Sequence, residues 1–151
     1  MKRFILIIIT TLVACEDSKK KVETPSGNEW DLEGWELIWN DEFKNPELNL
    51  DKWSYEIGGH GWGNNELQYY QENNTSIIDG NLVIEARKES VQNSNYTSSR
   101  IITRDKKSFK YGRVDIRAAM PEGQGIWPAL WMLGANHFQV GWPTCGEIDI
   151  M

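Results

Sequence analysis

From residue 30 onward the chain shows no helical periodicity of useful length. Apolar and polar residues alternate instead in short runs bounded by Gly, Asn, Asp and Pro, which is the period-2 pattern of half-buried strands. Trp35–Trp39 predicts a first strand, closed by Asn40-Asp41-Glu42-Phe43, and Trp53, Tyr55 and Ile57 alternate in a second. Ile77-Ile78-Asp79-Gly80-Asn81-Leu82-Val83-Ile84 sets a turn dipeptide between two apolar runs and predicts a hairpin. Lys110–Met120 alternates so that Val114, Ile116, Ala118 and Met120 are expected to face a core. In Gly125–Leu133, Trp127, Ala129 and Trp131 fall on one strand face, and Leu130 and Met132 on the other. Glu147-Ile148-Asp149-Ile150 alternates acid with β-branched apolar residue, so two carboxylates share a face. Strands without intervening helices imply an all-β, two-sheet sandwich.

The first residues have a different character. Lys2-Arg3 precedes an apolar run from Phe4 to Val13, shorter than the roughly 20 residues a membrane-spanning helix needs, as in an export signal. Leu12-Val13-Ala14-Cys15 resembles a bacterial lipobox, in which the cysteine is acylated and becomes the first mature residue. Residues 1–14 are therefore expected to be a lipoprotein signal peptide and 15–29, polar and mixed in charge, a flexible tether. The expected location is outside the cytoplasm, on a membrane through a lipid on Cys15. With Cys15 lipidated, Cys145 has no disulfide partner. No histidine lies near it in sequence, so a packing role is expected for it. His60 and His137 show no zinc-ligand spacing.

Charge narrows the partners. The formal net charge is −6 and becomes −8 once Lys2 and Arg3 are removed, which argues against nucleic acid. Gly58–Gly63 is glycine-rich but lacks a Lys-Ser/Thr ending and precedes a strand, so it reads as a loop rather than a phosphate cradle. Eight Trp and five Tyr exceed what a small core needs, and flat aromatic faces suit the apolar C–H faces of sugars.

Several segments together resemble glycoside hydrolase family 16, the laminarinase and β-glucanase group. Glu147-Ile148-Asp149-Ile150-Met151 matches its Glu-Ile-Asp-Ile-Met-Glu motif up to the last Glu. Gly125–Leu133 resembles its Gly-x-Trp-Pro-Ala-x-Trp-Met-Leu strand, Asn64–Tyr70 its Asn-x-Glu-Leu-Gln-Tyr-Tyr segment, and Tyr96–Thr103 its Tyr-Thr-Ser-x-Arg-Ile-x-Thr segment. The resemblance implies a jelly-roll sandwich of the concanavalin A type, of which residues 30–151 would be the N-terminal part. It implies Glu147 as nucleophile and Asp149 as a helper acid that tunes it, with the acid/base Glu expected just after Met151. Asn64, Glu66, Arg100, Trp127, Trp131 and Trp142 are the implied sugar contacts.

In that motif a β-bulge at Met turns the acid/base Glu back to the nucleophile's face, and Met151 marks the bulged, laminarinase-type form. The implied activity is retaining, endo-acting cleavage of β-1,3-glucan. Lichenase, agarase and carrageenase are sister activities, and a non-catalytic glucan-binding surface protein is the alternative from another class. Such binding proteins typically lose the paired Glu, and Glu147 with Asp149 is intact here, which favours the enzyme. The absence of basic residues beside Trp127 and Trp131 in sequence argues against a sulfated substrate. No cofactor is required, but a structural calcium is implied as possible, with Glu42 a contributor. Residues 15–151 alone are expected to be inactive and poorly stable.

Overall fold

A computed structural model describes residues 4–7, by their backbone, and 32–151. Cys15 and the expected tether lie outside the described residues. In chain order the elements are β1 (Phe4–Ile7), β2 (Ser54–Tyr55), β3 (Gln68–Tyr70), β4 (Thr75–Ile78), β5 (Asn81–Ala86), β6 (Tyr96–Ser98), β7 (Ile101–Ile102), β8 (Trp131–Leu133), α1 (His137–Val140) and β9 (Glu147–Asp149). The fold is all-β, of jelly-roll type, with α1 a single turn. Among the described residues the ladders run β1-β5-β4, β2-β7, β3-β6 and β8-β9.

The expected hairpin is present. β4 and β5 pair antiparallel from Ile78 opposite Asn81 to Thr75 opposite Ile84. Asp79 (φ 51) and Gly80 (φ 72) both take the left-handed conformation that a type I′ turn requires. Along the other edge of β5 runs β1, with Phe4 opposite Ala86 and Ile7 opposite Val83. Part of the expected signal peptide thus covers a sheet edge, which apolar residues of strand character do where a row of N–H and C=O groups is open.

Leu82 and Val83 form the fully buried apolar core of the described residues, and polar groups are buried beside them. Burying an amide is costly unless each of its hydrogen bonds is replaced. Asn74, in the 3-10 turn Glu72–Asn74, meets that condition. Its Nδ2 donates to Glu85 O at 2.8 Å and to Thr97 Oγ1 at 2.9 Å, and its Oδ1 accepts from Gln71 Nε2 at 2.8 Å. The Thr97 hydroxyl in turn donates to Glu89 Oε1 at 2.6 Å. One amide thereby ties the turn before β4 to β5 and β6.

Two expected strands do not form. Trp35–Trp39 has no strand assignment, and Trp35, Leu37 and Ile38 are exposed. Lys110–Met120 is likewise no strand, and Val114 and Ile116 are exposed rather than in a core. Alternation supplies a tendency, but a strand also needs a neighbour, and no strand of the described residues runs beside either segment.

Replacing Asn74 by Ala removes three hydrogen bonds and takes from the buried Thr97 hydroxyl its donor, leaving only its bond to Glu89. Urea unfolding is expected to show a loss of about 1–3 kcal/mol; an unchanged midpoint would mean that water serves these groups equally well.

Candidate active site

The site is built on the β8–β9 ladder, where Trp131 stands opposite Asp149, Met132 opposite Ile148 and Leu133 opposite Glu147. Alternation puts Trp131, Leu133, Glu147 and Asp149 on one face, and Met132 and Ile148 on the other. Sequence patterning expects the two acids on one face; the register adds that Trp131 shares it. Both acids are exposed, and among the described residues neither carboxylate makes a hydrogen bond or ion pair.

Beyond the ladder, Leu130 N–H donates to Met151 O at 3.0 Å, while Leu130 O accepts from both Ile150 N–H at 2.8 Å and Met151 N–H at 3.1 Å. Two residues opposing one across a ladder is the hydrogen-bond pattern of a β-bulge. It lies at Ile150–Met151, where strict alternation of side chains is broken.

The connection from β8 to β9 closes through Gly134, whose N–H donates to Gly146 O at 3.0 Å. A Cβ at Gly134 would stand 2.0 Å from the Cys145 carbonyl oxygen, so glycine is required for the strands to stay in register. The same connection carries α1 and brings His137 Nδ1 to 3.6 Å from Cys145 Sγ. Cys145 therefore does have a histidine neighbour, although none is close in sequence; the fold of residues 134–146 supplies it.

A second wall comes from the glycine-rich loop and β3. Gly58 and Tyr70 exchange backbone hydrogen bonds at 2.9 and 3.1 Å, and Trp62 Nε1 donates to Gly58 O at 3.1 Å. The Trp62 ring packs edge-on against Tyr70 at 5.5 Å. Glu66 Oε2 accepts from the Tyr70 hydroxyl at 2.6 Å and from Gln68 Nε2 at 2.7 Å, while Asn64 Nδ2 lies 3.4 Å from Glu66 Oε1. Glu66 thus spends its carboxylate on its neighbours. Burial, reinforced by the hydrogen bond to Glu66 and its negative charge, pushes the Tyr70 phenol up to about 12.

Arg100 joins the two walls. Its guanidinium carbon lies 4.8 Å from the Trp62 ring centre and 4.9 Å from that of Trp131, a cation between two indole faces. Arg100 Nε meets Glu56 Oε2 at 2.5 Å, and Arg104 also pairs with Glu56. A basic group therefore does lie beside Trp131, which removes the sequence argument against a sulfated substrate.

Arg100, Trp131, Glu66 and Asn64 are thus linked through contacts with each other or with Trp62 and Tyr70, and Asp149 and Glu147 flank Trp131 on its sheet face. Trp127 and Trp142 are not packed into this assembly, being 72% and 65% exposed. Glu42 is separate too. Its neighbour Asp41 is taken up by Phe43 N–H at 2.9 Å and Trp53 Nε1 at 2.8 Å. Among the described residues no three His, Cys, Asp or Glu side chains gather at Glu42. Sequence reasoning passed over Glu56, Trp62 and Tyr70. The one available signal was a large aromatic at Trp62 among glycines that leave it room.

The family described as "Beta-glucan synthesis-associated protein SKN1/KRE6/Sbg1" matches residues 2–146, and the chain belongs to it, with a laminarinase-type fold of glycoside hydrolase family 16. A β-glucanase from Rhodothermus marinus is 50% identical over 123 residues, covering 78% of this chain and 43% of that protein. The laminarinase catalytic domain of Thermotoga maritima superposes with a TM-score of 0.75 at 53% identity, covering 78% of this chain and 51% of that one. The endo-1,3-β-glucanase catalytic domain of Thermotoga petrophila gives 0.76 at 52% identity, covering 80% and 52%. The chain thus spans about half the length of the relatives it matches.

The Tyr70 environment can be checked by ultraviolet titration. Because its folded value is raised above the ordinary 10, the stability it contributes is complete below about pH 10 and is lost as pH rises through about 12. Burial raises the Tyr55 phenol as well, so Tyr70 should be the last tyrosine to ionise, and that final step should disappear from the titration in Tyr70→Phe. Ionisation of every tyrosine near 10 would contradict the Glu66–Tyr70 pair.

Proposed function

We propose that the protein is a retaining, endo-acting hydrolase of β-1,3-glucan in which Glu147 is the nucleophile. The observation that carries this reading is the register that sets Glu147 and Asp149 on one open sheet face with Trp131, against which Arg100 is stacked. A retaining mechanism needs one carboxylate to attack the anomeric carbon and a second carboxyl, about 5–5.5 Å away, to protonate the leaving oxygen. Glu147 attacks, and the glycosyl ester it forms is then hydrolysed. Asp149, one pleat along and about 6.6–7 Å away by strand rise, orients and charges the site rather than attacking. The family motif expects the acid/base carboxyl after Met151, and the bulge hydrogen bonds at Ile150–Met151 support the reading that it returns to the nucleophile's face.

Trp131 offers an apolar ring to a sugar, and Arg100 offers planar donors to its hydroxyls. Trp127 and Trp142, open to solvent, extend the platform along a chain longer than one sugar. The family's description as synthesis-associated favours a second outcome of the same chemistry, in which a sugar hydroxyl instead of water resolves the glycosyl-enzyme. Export and anchoring through an acylated Cys15 are part of the proposal; a mature N-terminus at another residue would contradict the anchor.

The test is product analysis with the full-length protein on laminarin, mixed-linkage glucan and agarose. Laminarin should be cut internally, with the β-anomer formed first, and Glu147→Gln should lower kcat about 10³-fold or more while glucan binding persists. Binding without cleavage by the wild type would replace the enzyme with a glucan-binding protein, and products longer than the substrate would mark transfer.

A further inference from the structure

Glu56 lies in no motif that the sequence analysis singles out, yet among the described residues it alone pairs with Arg100 by charge. β2 and β7 pair with Ser54 opposite Ile102 and Tyr55 opposite Ile101. Continuing that ladder by one rung sets Glu56 opposite Arg100, and Glu56 N–H donates to Arg100 O at 3.0 Å. Directly opposed residues on a ladder present their side chains to the same face. The two side chains are 14% and 20% exposed, and Glu56 Oε2 and Arg100 Nε are themselves sealed from solvent. They meet at 2.5 Å as an ion pair without an aligned hydrogen bond.

The guanidinium thus lies against the rings of Trp62 and Trp131, with Glu56 at its Nε edge. Among the described residues no group accepts from its Nη atoms, so that edge alone is left to meet a ligand. A cation largely removed from water needs a counter-charge to remain there. Glu56 supplies it, and its other oxygen takes Arg104, whose guanidinium lies 4.9 Å over Phe138 of α1. The same carboxylate therefore links the Arg100 clamp to the connection that leads into β9.

We propose that Glu56 is a positioning residue of the glucan site: it fixes Arg100 between the two indoles so that the Nη edge is presented to the hydroxyls of a neutral polysaccharide. This rests on the glucan reading above. Glu56 acts through Arg100 and touches no sugar itself.

A double-mutant cycle in the full-length protein separates this role from general stabilisation. KM and kcat on laminarin are measured for wild type, Glu56→Gln, Arg100→Ala and the double variant, with thermal midpoints for each. Glu56→Gln is expected to raise KM about tenfold with kcat within about threefold, as expected for loss of a charge-assisted contact made equally in ground and transition states. In the Arg100→Ala background the same change should add nothing, and Glu56→Asp should recover part of the affinity. Increases in KM that multiply independently, or a fall in kcat and midpoint with KM unchanged, would overturn the proposal.

A readout without sugar keeps the two readings apart. The near-ultraviolet circular dichroism of Trp62 and Trp131 should change alike in Glu56→Gln and Arg100→Ala, and bands unchanged in Glu56→Gln would overturn the positioning role. A wild type that neither binds nor cleaves laminarin would instead sink the glucan reading.

Discussion

The register of two three-residue strands governs what this site can do. With Trp131 opposite Asp149 and Leu133 opposite Glu147, the acids and an indole occupy the same face. A slip of one residue would turn both carboxylates to the side of Met132. That register is fixed at both ends by features other than side-chain packing. At one end Gly134 passes so close to the Cys145 carbonyl that no Cβ fits. At the other, Leu130 O accepts from two consecutive N–H groups of Ile150 and Met151, and the bulge ends the simple alternation.

The rest of the described fold brings a second wall to this ladder. Its buried apolar core is small, and much of the cohesion between segments is polar, as in the Asn74 amide shared by β5, β6 and the turn before β4. Arg100 is the joint. It belongs to the β2–β7 ladder through Glu56, to the glycine-rich loop through Trp62, and to β8 through Trp131. A single planar cation suits this place because it can bond along its edges while stacking on both faces. Glu66 does a similar local task, holding Tyr70 and Gln68 so that the Trp62 wall keeps its shape.

What could be read in the sequence was local. Asp79-Gly80 announced its hairpin because a type I′ turn is written in two residues, and the alternating acids near the end announced a shared face because the side-chain period of a strand is two. What could not be read was pairing at a distance. Glu56 and Arg100 are neighbours only because β2 meets β7, and His137 reaches Cys145 only because residues 134–146 fold back on themselves. For the same reason Trp35–Trp39 and Lys110–Met120 carry strand patterns without forming strands: the pattern is intrinsic, the partner is not. Resemblance to a family went further than periodicity, since it gathered Arg100 and Trp131 into one cleft. It gave no hint that Glu56 and Trp62 hold Arg100 in place.

The central claim is that the face shared by Trp131, Asp149 and Glu147 is where a glucan meets its nucleophile. The most direct measurement is covalent trapping of the full-length protein with a mechanism-based, activated 2-fluoro-glucoside of β-1,3-linked glucose, followed by peptide mapping. A glycosyl ester on Glu147 and on no other carboxylate is the predicted result. An ester on Asp149, or on a carboxylate outside β9, would contradict it.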